Sequence, residues 1–452
     1  MYNAEISPIL YTSWPNAKIL WIDKFDTGFL QDIGRKIMQA GTLCVFIRTK
    51  DERFLREALA ETSFSEFSCY ALVPSHHAPR WLIPLDNRRV TSASLRLYNP
   101  SSLKGKVFKH ILSNLAYLGI QRFWGRDRLL VASKVDAQDA SLATFLQYLL
   151  NVRDISLAFS TGTLGYYRKT TAQVMSKDGR VLAYAKIAST PQAQRLLAQE
   201  AKVLRSLAEL RLSTGNVPRL LYSGQFHGSE LLVQSAPSER TRKGKKQLDR
   251  RHIEFLAEIF NQTCTRKSFS ESEYWILVRR SVESLRARIS DEWRRRLQNG
   301  LKICESALAR KVIPLGLCHR DFVPWNTYLE RWRLYVFDWE YAVEQGIPFW
   351  DIFHYFSFPA MLVARSSGKQ LINRWWGRQF KPLLTQYAEK IGVDVGLVPA
   401  YFLLYLIEVS SFYLDMFACD GIQETQREWL QKTWAEMLDE LTMHWEEYKT
   451  WR

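Results

Sequence analysis

The sequence predicts an α+β chain of 452 residues in three regions. These are a small α/β accessory domain (1–150), a strand-rich lobe (151–236) and a larger helical lobe (237–452). Three observations predict it. Strand-like and helix-like runs alternate between Lys18 and Val73. In the middle region a pair of strand-like runs meets at Asp178-Gly179, a strong hairpin signal. From His252 onward the apolar spacing turns helical, broken by one short apolar run, Leu334 to Phe337. A chain this long also exceeds what one compact core usually takes.

In the first region Lys18 to Asp23, Thr42 to Arg48 and Phe67 to Val73 read as strands. Phe29 to Ala40 and Asp51 to Glu61 read as helices, so a partly parallel sheet is expected. Pro100 and Ser101 start a further helix, with Val107, Ile111 and Leu115 on one face. With Lys104, Lys106 and Lys109 nearby, that face suits packing on its own domain or a peripheral contact with a membrane surface. His76 and His77 lack a carboxylate or Cys partner at ligand spacing and read as surface or structural residues. No G-x-G-x-x-G occurs in the first 150 residues.

Net charge is +16, which favours anionic partners, although much of the excess reads as solvated surface. The basic run Arg240 to Arg251 is read in the same way. Nucleic acid is not expected as a partner. The six cysteines form no C-x-x-C pair, which argues against a zinc site or a disulfide framework and for a reducing, cytoplasmic setting. The N-terminus lacks a charged segment leading into a long apolar core, so no signal peptide is expected. The most apolar segment, Tyr401 to Ala418, carries Glu408 and Asp415 and reads as a buried helix rather than a transmembrane segment.

The chemistry concentrates between Leu317 and Tyr341. Asp321 is followed five residues later by Asn326, and Asp338 sits at the end of the apolar run. Phosphoryl transfer needs an acidic group beside the attacking hydroxyl, oxygen ligands for Mg²⁺, and a cation for the phosphates. Asp321 fits the first role; Asn326 and Asp338 fit the second. The cation is Lys186, inside the strand-like run VLAYAKIA. A charge among apolar strand residues needs a partner. The next helix offers Glu200, which shares a face with Leu196, Val203 and Leu207.

These residues resemble the aminoglycoside phosphotransferase and choline kinase family. Its H-x-D-x-x-x-x-N reads here as His319-Arg320-Asp321 to Asn326, and its hydrophobic-Asp-aromatic-Glu as Phe337 to Glu340. Pro348 and Asp351 match the Pro and Asp that follow in the family. The resemblance implies a two-lobed, protein-kinase-like fold, ATP as donor and Mg²⁺ as cofactor. It matches Lys186 and Glu200 to the pair that holds the α- and β-phosphates. It also places Gly162 and Gly165 in the phosphate-covering loop, and Gln234 to Ala236 at the adenine hinge. It gives His319 and Asp351 supporting roles, and leaves Glu340 either structural or shaping the acceptor site. One position departs: Arg320 stands where the family usually has Gly, which leaves the acceptor subclass open. The first 150 residues resemble the second half of a class I methyltransferase, without its cofactor-binding half.

The expected activity is transfer of the γ-phosphoryl group of ATP to a hydroxyl of a small molecule, a sugar or glycan precursor. Two alternatives stay open: a non-catalytic nucleotide-binding scaffold, and a protein that binds anionic glycan through its basic surface. A protein kinase fits less well, because Trp339-Glu340 replaces Phe-Gly after Asp338 and no A-P-E segment follows.

Overall fold

The structure, a computed structural model, describes residues 7–21, 40–75, 79–98, 103–121, 127–134, 141–162, 167–244, 247–376, 380–419 and 424–450. The expected helix at 29–40, except for Ala40, and the histidines at 76 and 77 lie outside the described residues. The chain packs into two units, Met1–Ala198 with Leu220–Glu239, and Gln199–Arg219 with Arg240–Arg452.

In the first unit, eight strands come before residue 190: β1 (Lys18–Trp21), β2 (Thr42–Arg48), β3 (Glu66–Val73), β4 (Trp81–Pro84), β5 (Asp127–Ser133), β6 (Ile155–Ser160), β7 (Thr170–Ser176) and β8 (Val181–Ala188). The short β9 (Gly215–Asn216) belongs to the second unit, and β10 (Leu220–Phe226) and β11 (Ser229–Ser235) return to the first. All ten strands of the first unit form one sheet, in the order β1-β2-β5-β3-β4-β6-β7-β8-β11-β10. Only β1 and β2 pair in parallel; every other adjacent pair is antiparallel.

The apolar runs explain the sheet's burial. In β2, Leu43, Val45 and Ile47 enter one core while Cys44 and Phe46 enter another. In β5, Leu130 and Ala132 join the first of these, Leu129 and Val131 the second. A strand covered on both faces loses polar alternation and reads as a continuous apolar run.

The boundary expected near residue 150 falls inside this unit. β4 pairs with β6, Trp81 opposite Ser160 and Leu82 opposite Phe159, so the sheet crosses it without a break. On one face, a single core runs from Ile9 and Phe46 to Leu231 and Val233.

The helix Leu103–Tyr117 packs through Leu112 and Ala116, both buried. The face picked out by Val107 and Ile111 is exposed, at 52% and 51%. The core is therefore met by the other side of this helix.

The second unit is mainly helical and carries two small sheets. One has the order β12-β15-β16-β9, with β12 (Thr241–Lys243), β15 (Thr327–Glu330) and β16 (Arg333–Val336). The other joins β13 (Thr265–Ser268), β14 (Val312–Cys318) and β17 (Val343–Gly346). Some of the basic run Arg240 to Arg251 thus becomes strand β12 and the start of the helix Arg250–Thr263. The helix Val398–Cys419 is core: Tyr401 to Ile407 are each 1% exposed or less. It contributes to the one described stretch long and apolar enough to cross a membrane. Its two acidic residues are satisfied within the protein, Glu408 by Arg320 and Tyr274, and Asp415 by Arg288.

Candidate active site

Strand β14 is buried from Ile313 to Cys318, where it ends, and His319 follows. The chain turns there through Arg320 at φ 64°. The Asp351 carboxylate holds this turn, accepting the N–H groups of His319 and Arg320, each at 2.8 Å. Burial pushes the Asp351 carboxyl up to about 6, against the pull of these two hydrogen bonds.

His319 is buried and acts as a strut. Its Nδ1 accepts the N–H of Asp321 at 3.2 Å, so its Nε2 carries the proton and donates to the Phe337 carbonyl at 3.0 Å. One ring therefore joins the loop of Asp321 to the residue before Asp338. Burial lowers the His319 pKa despite the nearby Asp321, which keeps the ring neutral in this role.

Asn326 completes the loop. Its Nδ2 donates to the Asp321 carbonyl at 3.0 Å and to Asp321 Oδ2 at 2.7 Å. Its backbone carbonyl accepts the N–H of Phe337 at 3.2 Å. Both amide donor directions face Asp321, so the Asn326 carbonyl oxygen is the atom suited to a cation.

Asp338 follows β16 in the left-handed region, φ 72° and ψ 57°, where Asp is among the few side chains tolerated. The next residues form a 3₁₀ turn, Trp339–Tyr341, locked by the buried Trp339, whose Nε1–H donates to the Val336 carbonyl at 3.0 Å. This turn brings Glu340 beside Asp338. Glu200 joins them from the helix Pro191–Glu209; ligand oxygens of the three carboxylates lie within 4.8 Å of one another. Glu200 is fully buried and Glu340 is 6% exposed. The helix is tied to this segment by Gln199, which donates to the Ala342 carbonyl at 2.8 Å, and by Lys202, paired with Glu344 at 2.9 Å. Three carboxylates so close repel one another, and hard oxygen ligands at this spacing suit a divalent cation such as Mg²⁺.

The second unit thus brings together Glu200, Asp321, Asn326 and Asp338, all four expected from sequence, and adds Glu340. The remaining expected residues belong to the first unit. Lys186 lies on β8, opposite Leu232 and Thr171 in register, and is 7% exposed. Gln234 on β11 is buried, and the N–H of Ala236 donates to the Leu182 carbonyl at 3.3 Å. Gly162 has φ 70°, and a Cβ there would stand 2.3 Å from the Lys169 carbonyl oxygen, so only glycine fits. The glycine at 165 lies outside the described residues.

Residues 165–380 match the family model described as the phosphotransferase enzyme family. This segment is similar to that family. No curated protein matches the chain. Among solved structures, the chain is similar to a thermostable mutant of aminoglycoside phosphotransferase APH(4)-Ia, in ternary complex with ADP and hygromycin B. That match has 13% identity and a TM-score of 0.44, and covers 67% of this chain and 98% of the other. ADP-bound aminoglycoside phosphotransferase APH(2'')-Ib gives 17% identity and 0.41, over 67% and 97%. A choline/ethanolamine kinase family protein from Mesorhizobium loti gives 14% and 0.39, over 66% and 90%.

The structure also shows what Arg320 does. Its Nη2 donates to Glu408 Oε1 at 3.0 Å, and its guanidinium lies 5.1 Å from the Trp350 ring centre. Glu408 Oε2 in turn accepts the Tyr274 hydroxyl at 2.9 Å. From the sequence alone, Glu408 counts only against a membrane span. Nothing in the sequence marked it as the partner of a residue 88 positions away.

Proposed function

We propose that the chain is an ATP-dependent phosphotransferase acting on a hydroxyl of a small molecule, and that the acceptor is a neutral sugar or polyol unit. One observation carries the transfer reading: Asp321 is fixed by Asn326 and His319 in a loop that His319 and Asn326 also join to Phe337, the residue before Asp338. Asp321 Oδ2 is engaged by Asn326. Its Oδ1 is the oxygen suited to orient the acceptor hydroxyl and receive its proton. As that O–H bond breaks, the acceptor oxygen bonds to the γ-phosphorus and the bond from phosphorus to the ADP oxygen breaks.

Asp338, Glu340, Glu200 and the Asn326 carbonyl oxygen are the candidate holders of Mg²⁺. When bound, that ion supplies charge neutralisation to the phosphates. Lys186 is the candidate cation for the phosphates, Gly162 the close-approach glycine of their loop, and Gln234 to Ala236 the segment for adenine.

The acceptor reading rests on aromatic rings and matched charges. Burial raises the pKa of the Tyr413 phenol, with Asp321 and Tyr341 adding to the effect, which puts this ring in the neighbourhood of Asp321. Tyr341 meets Phe412 edge-on at 5.5 Å, and Phe412 is 36% exposed. Glu408 is already matched by Arg320, and Asp415 by Arg288. Ring faces suit a sugar, whereas a polycationic drug favours unmatched carboxylates.

The test is ATP turnover by the full chain with Mg²⁺ and a panel of sugars, polyols, aminoglycosides and choline. A sugar or polyol should stimulate turnover, and Asp321→Asn should lower kcat by about 10²- to 10⁴-fold. Asp338→Ala should abolish Mg²⁺-dependent nucleotide binding. Stimulation only by aminoglycosides or choline would overturn the acceptor class. Nucleotide binding without turnover on any acceptor would favour a scaffold.

A further inference from the structure

On the helix Trp350–Leu362, one turn beyond Asp351, stands His354. Its ring is clamped between two neighbours of the same helix. Trp350 stacks on it at 4.9 Å and 25°, and Phe358 at 4.6 Å and 19°. The side chain is 2% exposed, and its Nε2 has no hydrogen-bond partner among the described residues. A buried polar nitrogen left without a partner is costly and uncommon. The nearest carboxylate oxygen to it is Asp321 Oδ1, at 3.6 Å. That is the Asp321 oxygen that Asn326 does not hold.

The ring's tautomer follows from what its two nitrogens face. Nδ1 lies 3.3 Å from the Tyr405 hydroxyl, which can serve it as a donor. A bare lone pair on Nε2 would face the Asp321 carboxylate and be repelled, so a neutral ring is favoured with its proton on Nε2.

We propose that His354 is a positioning residue for Asp321: its Nε2–H, with Nδ1 beside the Tyr405 hydroxyl, faces Oδ1, the carboxylate oxygen that Asn326 does not hold, and helps to fix it. The inference rests on the reading of Asp321 as the group that takes the acceptor proton. Buried as it is, His354 touches neither substrate nor phosphate in this role. Burial also holds the ring neutral, with a pKa lowered to about 3, so it remains a hydrogen-bond donor and not a competing acid at neutral pH.

Two measurements test it. The first needs no turnover: long-range ¹H–¹⁵N correlation spectra of the full chain labelled at histidine, with His354→Gln used to assign the His354 signals. The expected result is a neutral Nε2–H tautomer at pH 7, with ring shifts that move in Asp321→Asn. An Nδ1–H tautomer, or His354 signals unchanged by Asp321→Asn, overturns the proposal. The second is kinetic, using the acceptor that the panel yields. His354→Phe, which keeps a stacked ring without the donor, should lower kcat about 10-fold and leave the KM for ATP within about twofold. His354→Gln, which restores an N–H donor, should recover most of the loss. Equal loss in both variants, or wild-type kcat in His354→Phe, sinks the proposal. Full turnover by Asp321→Asn would instead sink the underlying reading of the site, so the two failures are distinguishable.

Discussion

Arg320 pays for a left-handed backbone that glycine would adopt without strain, about 1–2 kcal/mol, and its side chain offsets that through Glu408 and Trp350. Arg320→Gly should therefore not relieve the loop. It strands Glu408, 10% exposed, beside the Tyr274 hydroxyl. Equilibrium urea unfolding should show a loss of about 1–3 kcal/mol, and adding Glu408→Gln should recover some of it. An additive double mutant would show that the pair is not coupled. The candidate catalytic loop was legible from Asp321, Asn326 and Asp338 because their spacing is local and set by a short strand and turn. Glu340 was legible only as a choice between two uses, since its value depends on Glu200 arriving from 140 residues away. His354 was invisible: a histidine in an apolar helix reads as core, and its neighbour Asp321 is joined to it only by the fold.

At the scale of the element, the clearest dependence is of loop upon helix. Glu258, on the helix Arg250–Thr263, accepts the N–H and hydroxyl of Ser213 through Oε1, at 2.7 and 2.6 Å. Its Oε2 accepts the N–H of Thr214 at 2.9 Å and also the Thr214 hydroxyl. These bonds seat the segment before β9, which pairs in parallel with β16, the strand that leads to Asp338. Desolvation raises the Glu258 pKa, but the four hydrogen bonds outweigh it and the carboxyl ends below its ordinary value. Its stabilisation is therefore present above the ordinary carboxylate range and lost as pH falls through the lowered folded value. Glu258→Ala should destabilise by about 2–3 kcal/mol in thermal or urea unfolding, and wild-type behaviour would show the loop is held by other contacts. A second element-level expectation concerns the turn at Gly162. Gly162→Ala, with its Cβ driven against the Lys169 carbonyl, should raise the KM for ATP several-fold while kcat falls less. The strands β2, β3, β6, β7 and β8 were readable almost to the residue, because apolar runs and the Asp178-Gly179 turn are local signals, whereas β4 and β5 were not read as strands. Which face of the helix Leu103–Tyr117 meets the core was not, since Val107, Ile111, Leu112 and Ala116 offer two apolar stripes and only packing chooses.

Over the whole molecule, pH acts through buried groups of opposite sense. His354 has a folded pKa lowered to about 3, so below the ordinary histidine value of 6.5 the unfolded chain binds the extra proton and stability falls with acid. Asp351 has a folded value raised to about 6 from 3.8, so across that window the folded chain binds the extra proton and stability falls as pH rises. Between about pH 4 and 6 the two partly cancel. Unfolding midpoints of Asp351→Asn, measured over that range, should fall more steeply with acid than those of the wild type. A slope unchanged by the substitution would show that Asp351 keeps its ordinary ionisation in the fold.

The pairing of β4 with β6 has a further consequence for how this chain can be divided. A polypeptide starting at residue 151 would leave β6 as an outer edge, its Phe159 and Ser160 backbone groups facing water instead of Leu82 and Trp81. Exposed strand edges recruit other strands, so that fragment should self-associate more than the intact chain. The N-terminal segment would then serve as the guard of a seam, and losing it would harm solubility before it harmed chemistry.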